Sequence, residues 1–161
     1  MGGEFIACFG KNMTTITCPD TLYKLPVVFV AGGISGCVDW QSEMIHLLDN
    51  DNIVLLNPRR DSFEVNDLNF SKFQIMWEYT HLKRADLVLF WFPAETLCPI
   101  TLFELGVISL RGTDMVVGCH PQYTRRFDVI TQLSLYRPDV KVQDSITEVA
   151  NMVNQWCNNR T

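Results

Sequence analysis

Asp86-Leu87-Val88-Leu89-Phe90-Trp91-Phe92 is a continuous apolar run headed by an acid. Pro99 to Leu110 comes after it with apolar residues at helical spacing, Pro near the first turn and Gly112 just beyond the end. These are the marks of a helix start and stop. A strand apolar at every position is covered on both faces, which belongs to a parallel sheet and not to a half-exposed antiparallel one. The same alternation continues outward in both directions. Val27 to Val30 reads as a strand ending in Gly32-Gly33, Asp39 to Leu48 as a helix, and Ile53 to Leu56 as a second strand. Asn57 to Phe70 reads as a polar loop, and Ser71 with Gln74 as a capping box opening a helix to about Arg84. Beyond the central pair come a strand at Met115–Gly118, a helix around Arg125–Tyr136, a short strand near Val140–Val142 and a helix from Asp144 to about Cys157. Short apolar strands separated by helices predict an α/β fold: a flavodoxin-like, doubly wound, five-stranded parallel sheet with helices on both faces.

Residues 1–26 stand apart as an N-terminal extension or hairpin, with strands expected at Phe5–Phe9 and Met13–Cys18; residues 27–161 form the expected domain. The 161 residues are 47% hydrophobic and 19% charged, with a net charge of −5. That composition excludes a disordered chain and argues against a basic footprint for duplex nucleic acid. No apolar run reaches the roughly 18 residues of a membrane helix. The opening Met1-Gly2-Gly3-Glu4 lacks a positive n-region, so a soluble, cytoplasmic protein is expected. Cys8, Cys18, Cys37, Cys98, Cys119 and Cys157 are widely spaced with no Cys-x-x-Cys pair, which predicts reduced thiols and no zinc site.

In a doubly wound sheet, ligands bind beyond the carboxyl ends of the strands. That rule selects Ala31–Trp40, Asn57–Phe70, Phe92–Glu104 and Cys119–Arg126. Gly32-Gly33-Ile34-Ser35-Gly36 suits either close approach of a ligand or a tight strand-to-helix turn; it matches neither a Walker loop nor G-x-G-x-x-G. Glu104, between Phe103 and Leu105, suits an acid turned into the crevice, and Thr101-x-x-Glu104 equally fits a capping box. Glu78 is a second acid, with a surface carboxylate pairing with Lys83 or Arg84 as the plainer reading. Arg59-Arg60 after the second strand suits a phosphate or carboxylate, or a solvated loop. Asp86 opens its strand, where a turn or capping role is the default. His46, His81 and His120 share no spacing, and no nucleophile elbow or His-Glu-x-x-His is present. Carboxylate chemistry is what remains, and two carboxylates in one crevice suit glycosidic bond cleavage.

Gly32-Gly33-Ile34-Ser35, Asn57-Pro58-Arg59-Arg60, Trp77-Glu78-Tyr79 and Ala85-Asp86 follow one another in this order. Phe90-Trp91-Phe92, Pro99-Ile100-Thr101 and Glu104-Leu105-Gly106 complete the series. Together they resemble the nucleoside 2-deoxyribosyltransferase-like family, in particular its branch with Asn-Pro-Arg-Arg, over about residues 27–142. The resemblance implies the flavodoxin-like fold and cleavage or transfer at a nucleoside or nucleotide N-glycosidic bond. It implies Glu104 as nucleophile, and Glu78 where the family carries an assisting Asp. The family's transferases place an Asp where this chain has Cys98, and its hydrolases often have a Ser-rich phosphate loop where this chain offers Thr101.

The expected function is therefore (deoxy)ribosyl transfer or N-glycosidic cleavage through a covalent glycosyl-Glu104 intermediate. The alternative is a non-catalytic nucleotide-binding module of the same fold. Gly32, Gly33, Ser35, Asp39, Trp40, Asn57, Arg59, Arg60, Trp77, Asp86 and Thr101 are the expected substrate-binding residues, with Trp40 or Trp77 stacking on the base. No metal or organic cofactor is implied. A homo-oligomer, most simply a dimer, is expected from aromatic residues near the crevice: Trp91, Phe92, Phe103 and the Tyr123–Phe127 segment.

Overall fold

The computed structural model describes residues 6–9, 12–15, 25–48, 53–59 and 68–160. At its centre the strand Leu87–Phe92 (β5) is buried at every position, as its composition demands. It is flanked in parallel by Val27–Gly32 (β3) and Asp114–Cys119 (β6). Val54–Leu56 (β4) lies outside β3 and Val142–Gln143 (β7) outside β6, both parallel. Two further strands, Ile6–Phe9 (β1) and Asn12–Thr15 (β2), form an antiparallel hairpin that pairs with β4. The hairpin thus extends the five parallel strands into a seven-stranded sheet, ordered β2-β1-β4-β3-β5-β6-β7. The final residues expected in its second strand, 16–18, lie outside the described set.

The helices are Trp40–Leu47 (α1), Leu68–Arg84 (α2), Pro99–Arg111 (α3), Arg126–Tyr136 (α4) and Ile146–Asn158 (α5). Strand alternation divides the core in two. Phe29, Ala31, Val88, Phe90 and Phe92 face α2, α3 and α4 through Trp77, Leu82, Leu105, Ile108, Val129 and Leu133. Val28, Val30, Leu87, Leu89 and Trp91 face α1 and α5 through Trp40, Met44, Val149, Val153 and Cys157. Each fully buried Leu, Val or Phe contributes about 1.5–3 kcal/mol, so these two layers carry most of the fold's stabilisation.

Chain direction within the sheet reverses at β3: α1 leads outward to β4, and α2 carries the chain back to β5. The crevice that a doubly wound sheet opens at such a switch point lies beyond the carboxyl ends of β3 and β5. Helix ends follow their sequence signals in α3 and α5. α3 begins on Pro99 and stops at Gly112, left-handed with φ 70°; α5 opens on a Ser145–Glu148 capping box. α2 departs from expectation. It starts at Leu68, so Ser71 and Gln74 sit inside the helix and form no capping box. No helix among the described residues is long and apolar enough to cross a membrane. Cys37, Cys98, Cys119 and Cys157 are free thiols.

Candidate active site

A cavity of about 320 Å³ opens at the switch point. The end of β3 and the turn after it form one wall, with Phe29, Ala31, Gly32, Gly33, Ile34 and Ser35. The segment before and into α3 forms another, with Thr96, Cys98, Pro99, Ile100 and Thr101. Pro58, Glu78 from α2 and Glu104 from α3 complete it. The two glutamates come from neighbouring helices on the same face of the sheet and converge on one space.

Glu104 lies in the second turn of α3. Because Cys98 is the N-cap and Pro99 the first helical residue, Thr101 and Glu104 are both interior to the helix. The capping-box reading therefore fails, and the carboxyl is left to face the cavity. Burial among apolar side chains, and secondarily the charge of Glu78, push Glu104 up from 4.5 to about 8. Its carboxyl thus holds a proton at neutral pH. On α2, Gln74 Nε2 donates to Glu78 Oε1 at 2.6 Å and to the Pro58 carbonyl at 3.1 Å. Two adjacent carboxyls in different environments are the usual arrangement for dividing acid and base roles.

The glycines of the turn are required by packing. A Cβ on Gly32 would stand 2.3 Å from Trp40 Cζ2 and 2.5 Å from the Trp91 carbonyl oxygen. One on Gly33 would stand 2.8 Å from Thr96 Cγ2 and 2.9 Å from Cys98 Sγ. Only glycine lets the β3 and β5 loops close this tightly around the cavity. Cys98 has φ 47°, a left-handed conformation uncommon for a side chain with a Cβ. Burial pushes its thiol up to about 12, so it is not a thiolate nucleophile.

Gly32, Gly33, Ser35 and Thr101 thus line the cavity with both glutamates. Several other expected site residues do different work. Trp40 is 1% exposed and its Nε1 donates to the Gly33 carbonyl at 2.8 Å. Trp77 is buried and stacks on the His81 ring, centroids 4.3 Å apart. Neither is a stacking surface for a base: both are spent on the core. Asp86 heads β5 at the opposite end of the sheet, where its Oδ2 accepts from Val27 N at 2.8 Å. Asp39 caps α1, accepting from the Ser42 amide at 3.2 Å and its hydroxyl at 2.6 Å. Asn57 Oδ1 accepts from the Arg59 amide at 3.0 Å.

Arg59 is a brace. Its guanidinium donates to Gln41 Oε1 at 3.0 Å and the Val38 carbonyl at 3.3 Å, and stands 3.4 Å from Asp39. Gln41, fully buried, passes this on by donating to the Gly33 carbonyl at 2.9 Å. Arg60 lies outside the described residues. The rim aromatics also divide. Phe103 and Phe127 are exposed, but Trp91, Phe92 and Tyr123 are buried, so the last three form no surface contact.

Pro58, Thr96, Cys98 and Ile100 also line the cavity, though none was expected to bind substrate: Pro58 and Ile100 stood within the Asn57-Pro58-Arg59-Arg60 and Pro99-Ile100-Thr101 motifs, and Cys98 where the family's transferases carry an Asp. Gln74 had a legible signal, its position four residues before Glu78 on a helix. The left-handed backbone of Cys98 had none, since that conformation is ordinarily marked by Gly or Asn. Among the described residues no three His, Cys, Asp or Glu side chains gather to hold a metal ion. A larger groove of about 470 Å³ separates α3 from α4, but its lining is nearly all apolar and it holds no acid pair.

A family model described as "Nucleoside 2-deoxyribosyltransferase like" matches residues 26–123. That span includes every residue lining the cavity between the two glutamates. No curated protein matches the chain.

Proposed function

The chain belongs to the nucleoside 2-deoxyribosyltransferase-like family, and from that premise we propose that it breaks the N-glycosidic bond of a nucleoside or nucleotide through a covalent glycosyl-Glu104 intermediate. The observation that carries this reading is the meeting of Glu104 and Glu78 in one cavity at the carboxyl ends of β3 and β5.

A Glu104 carboxylate oxygen attacks C1′ as the C1′–N bond breaks, its electron pair leaving with the base. The proton that Glu104 carries at rest balances the step: it leaves the carboxyl, Glu78 relays it, and the departing base takes it up. Glycosyl-Glu104 and a neutral free base result. Water or a second base then attacks C1′ and the ester bond breaks; the proton the attacker sheds returns through Glu78 to Glu104, and two inversions give net retention. Gly32, Gly33, Ser35 and Thr101 shape the sugar and base site.

The test is incubation with a panel of nucleosides and 5′-monophosphates, followed by chromatography for free or exchanged bases. Wild-type protein releases or exchanges a base on its substrate. Glu104→Gln loses several orders of magnitude in rate while remaining folded. Release at wild-type rate by Glu104→Gln overturns the mechanism. No release from any member, with an intact nucleoside held in a lasting complex, favours the non-catalytic binding module. The active form is proposed to be a dimer: Ile100, Phe103, Val107 and Leu110 are exposed at helical spacing along α3, beginning at the cavity rim.

A further inference from the structure

Gln74 is 7% exposed and sits one helical turn before Glu78. Its Nε2 bridges two acceptors, Glu78 Oε1 at 2.6 Å and the Pro58 carbonyl at 3.1 Å. Those acceptors settle which way the amide faces, because the reverse orientation would set Oε1 against the Pro58 carbonyl oxygen. The same orientation leaves Gln74 Oε1 buried with no hydrogen-bond partner. An orphaned buried acceptor is destabilising, and an apolar side chain of similar length would avoid it. The amide is therefore poorly explained as a packing element. Its hydrogen bonds join α2 to the Pro58 turn and hold a carboxylate that lines the cavity.

We propose that Gln74 is a positioning residue of this site: its amide fixes the Glu78 carboxylate at the cavity wall in the form that accepts hydrogen bonds, and ties it to the Pro58 turn. The inference deepens the catalytic reading above and rests on it for its consequence in turnover. Among the described residues, the ionisable side chains lining the cavity with Glu78 are Glu104 from α3 and Cys98 from the loop before it. The Gln74 amide donates directly to Glu78, and a donor to the carboxylate favours its ionised form. Held this way, Glu78 stays ready to receive the proton while Glu104 carries it. Without the amide, Glu78 competes for that proton and the two carboxyls lose their separate roles.

The experiment is a titration of side-chain carboxyl ¹³C resonances in wild type and Gln74→Met, with Glu78 and Glu104 assigned through Glu78→Gln and Glu104→Gln. In Gln74→Met, Glu78 takes up its proton roughly one pH unit higher than in wild type, the effect of one charge-assisted hydrogen bond. In base-release assays the acid limb of the pH–rate profile moves upward with it. An unchanged Glu78 titration in folded Gln74→Met overturns the proposal; a purely structural role would lower the urea midpoint and leave the titration in place. If Gln74→Met does not fold, Gln74→Asn keeps a buried amide too short to reach Glu78, and is read the same way. If wild type releases no base, the catalytic reading falls, while the titration still decides the role of Gln74.

Discussion

Glu104 should leave a signature in folding stability that is readable without any substrate. Its carboxyl is pushed from 4.5 to about 8 in the folded protein, first by burial and then by Glu78. Between those values the folded state holds a proton that the unfolded state has released, so stability falls as pH rises. The contribution is fully present below 4.5 and is lost as pH climbs through about 8. Each tenfold difference in proton affinity between the two states corresponds to about 1.4 kcal/mol. With water entry into the cavity allowed for, the loss is on the order of 3–5 kcal/mol. That is a large share of the roughly 5–15 kcal/mol that holds a domain together. Glu104→Gln cannot ionise and should escape it. Urea unfolding at intervals from pH 4.5 to 9 measures both proteins, and their difference cancels other titrations, such as that of His81, which burial holds below its ordinary value. The variant should gain on wild type by several kcal/mol across this window. Parallel stability curves would refute both the burial of Glu104 and its interaction with Glu78.

Glu78→Gln removes the second cause of the raised Glu104 affinity for its proton, so in a ¹³C titration Glu104 should release that proton at lower pH; an unmoved Glu104 would separate the two acids. Arg59→Ala removes the brace on Gln41 and Asp39 and should cost about 1–3 kcal/mol in urea unfolding, weakening nucleoside and 5′-monophosphate alike. A loss confined to phosphorylated ligands would restore a phosphate-binding role. Light scattering at micromolar concentration should find a dimer that Phe103→Glu weakens, whereas a fully active 18.5 kDa particle would remove the oligomer from the site.

How far the site was legible differs from residue to residue. Glu104 and Glu78 were marked by their places in helices on either side of β5, and Gly32 and Gly33 by following β3. For Glu104 two readings stood open in the linear chain, and the start of α3 decided between them. Cys98 as N-cap puts Thr101 inside the helix, where it cannot cap. Start positions also decided α2, where an earlier first turn released Ser71 and Gln74 from the helix end. A capping pattern states only that certain side chains are able to satisfy end groups; which turn comes first depends on what the helix packs against.

What the sequence determined by itself was everything carried by local periodicity. Runs apolar at every position required strands covered on both faces, intervening amphipathic segments required helices to cover them, and the carboxyl-end rule put the crevice after β3 and β5. What only the tertiary structure decided was the employment of individual polar and aromatic side chains. Trp40, Arg59 and Asp86 were all expected among the substrate-binding residues. Trp40 is taken by the Gly33 carbonyl, Arg59 by Gln41 and Val38, and Asp86 by the Val27 amide at the far end of the sheet. The reason is physical. Burial of apolar surface is roughly additive along the chain and shows as pattern, whereas a buried polar group must be satisfied by a partner, and that partner can lie as far away in sequence as Val27 from Asp86.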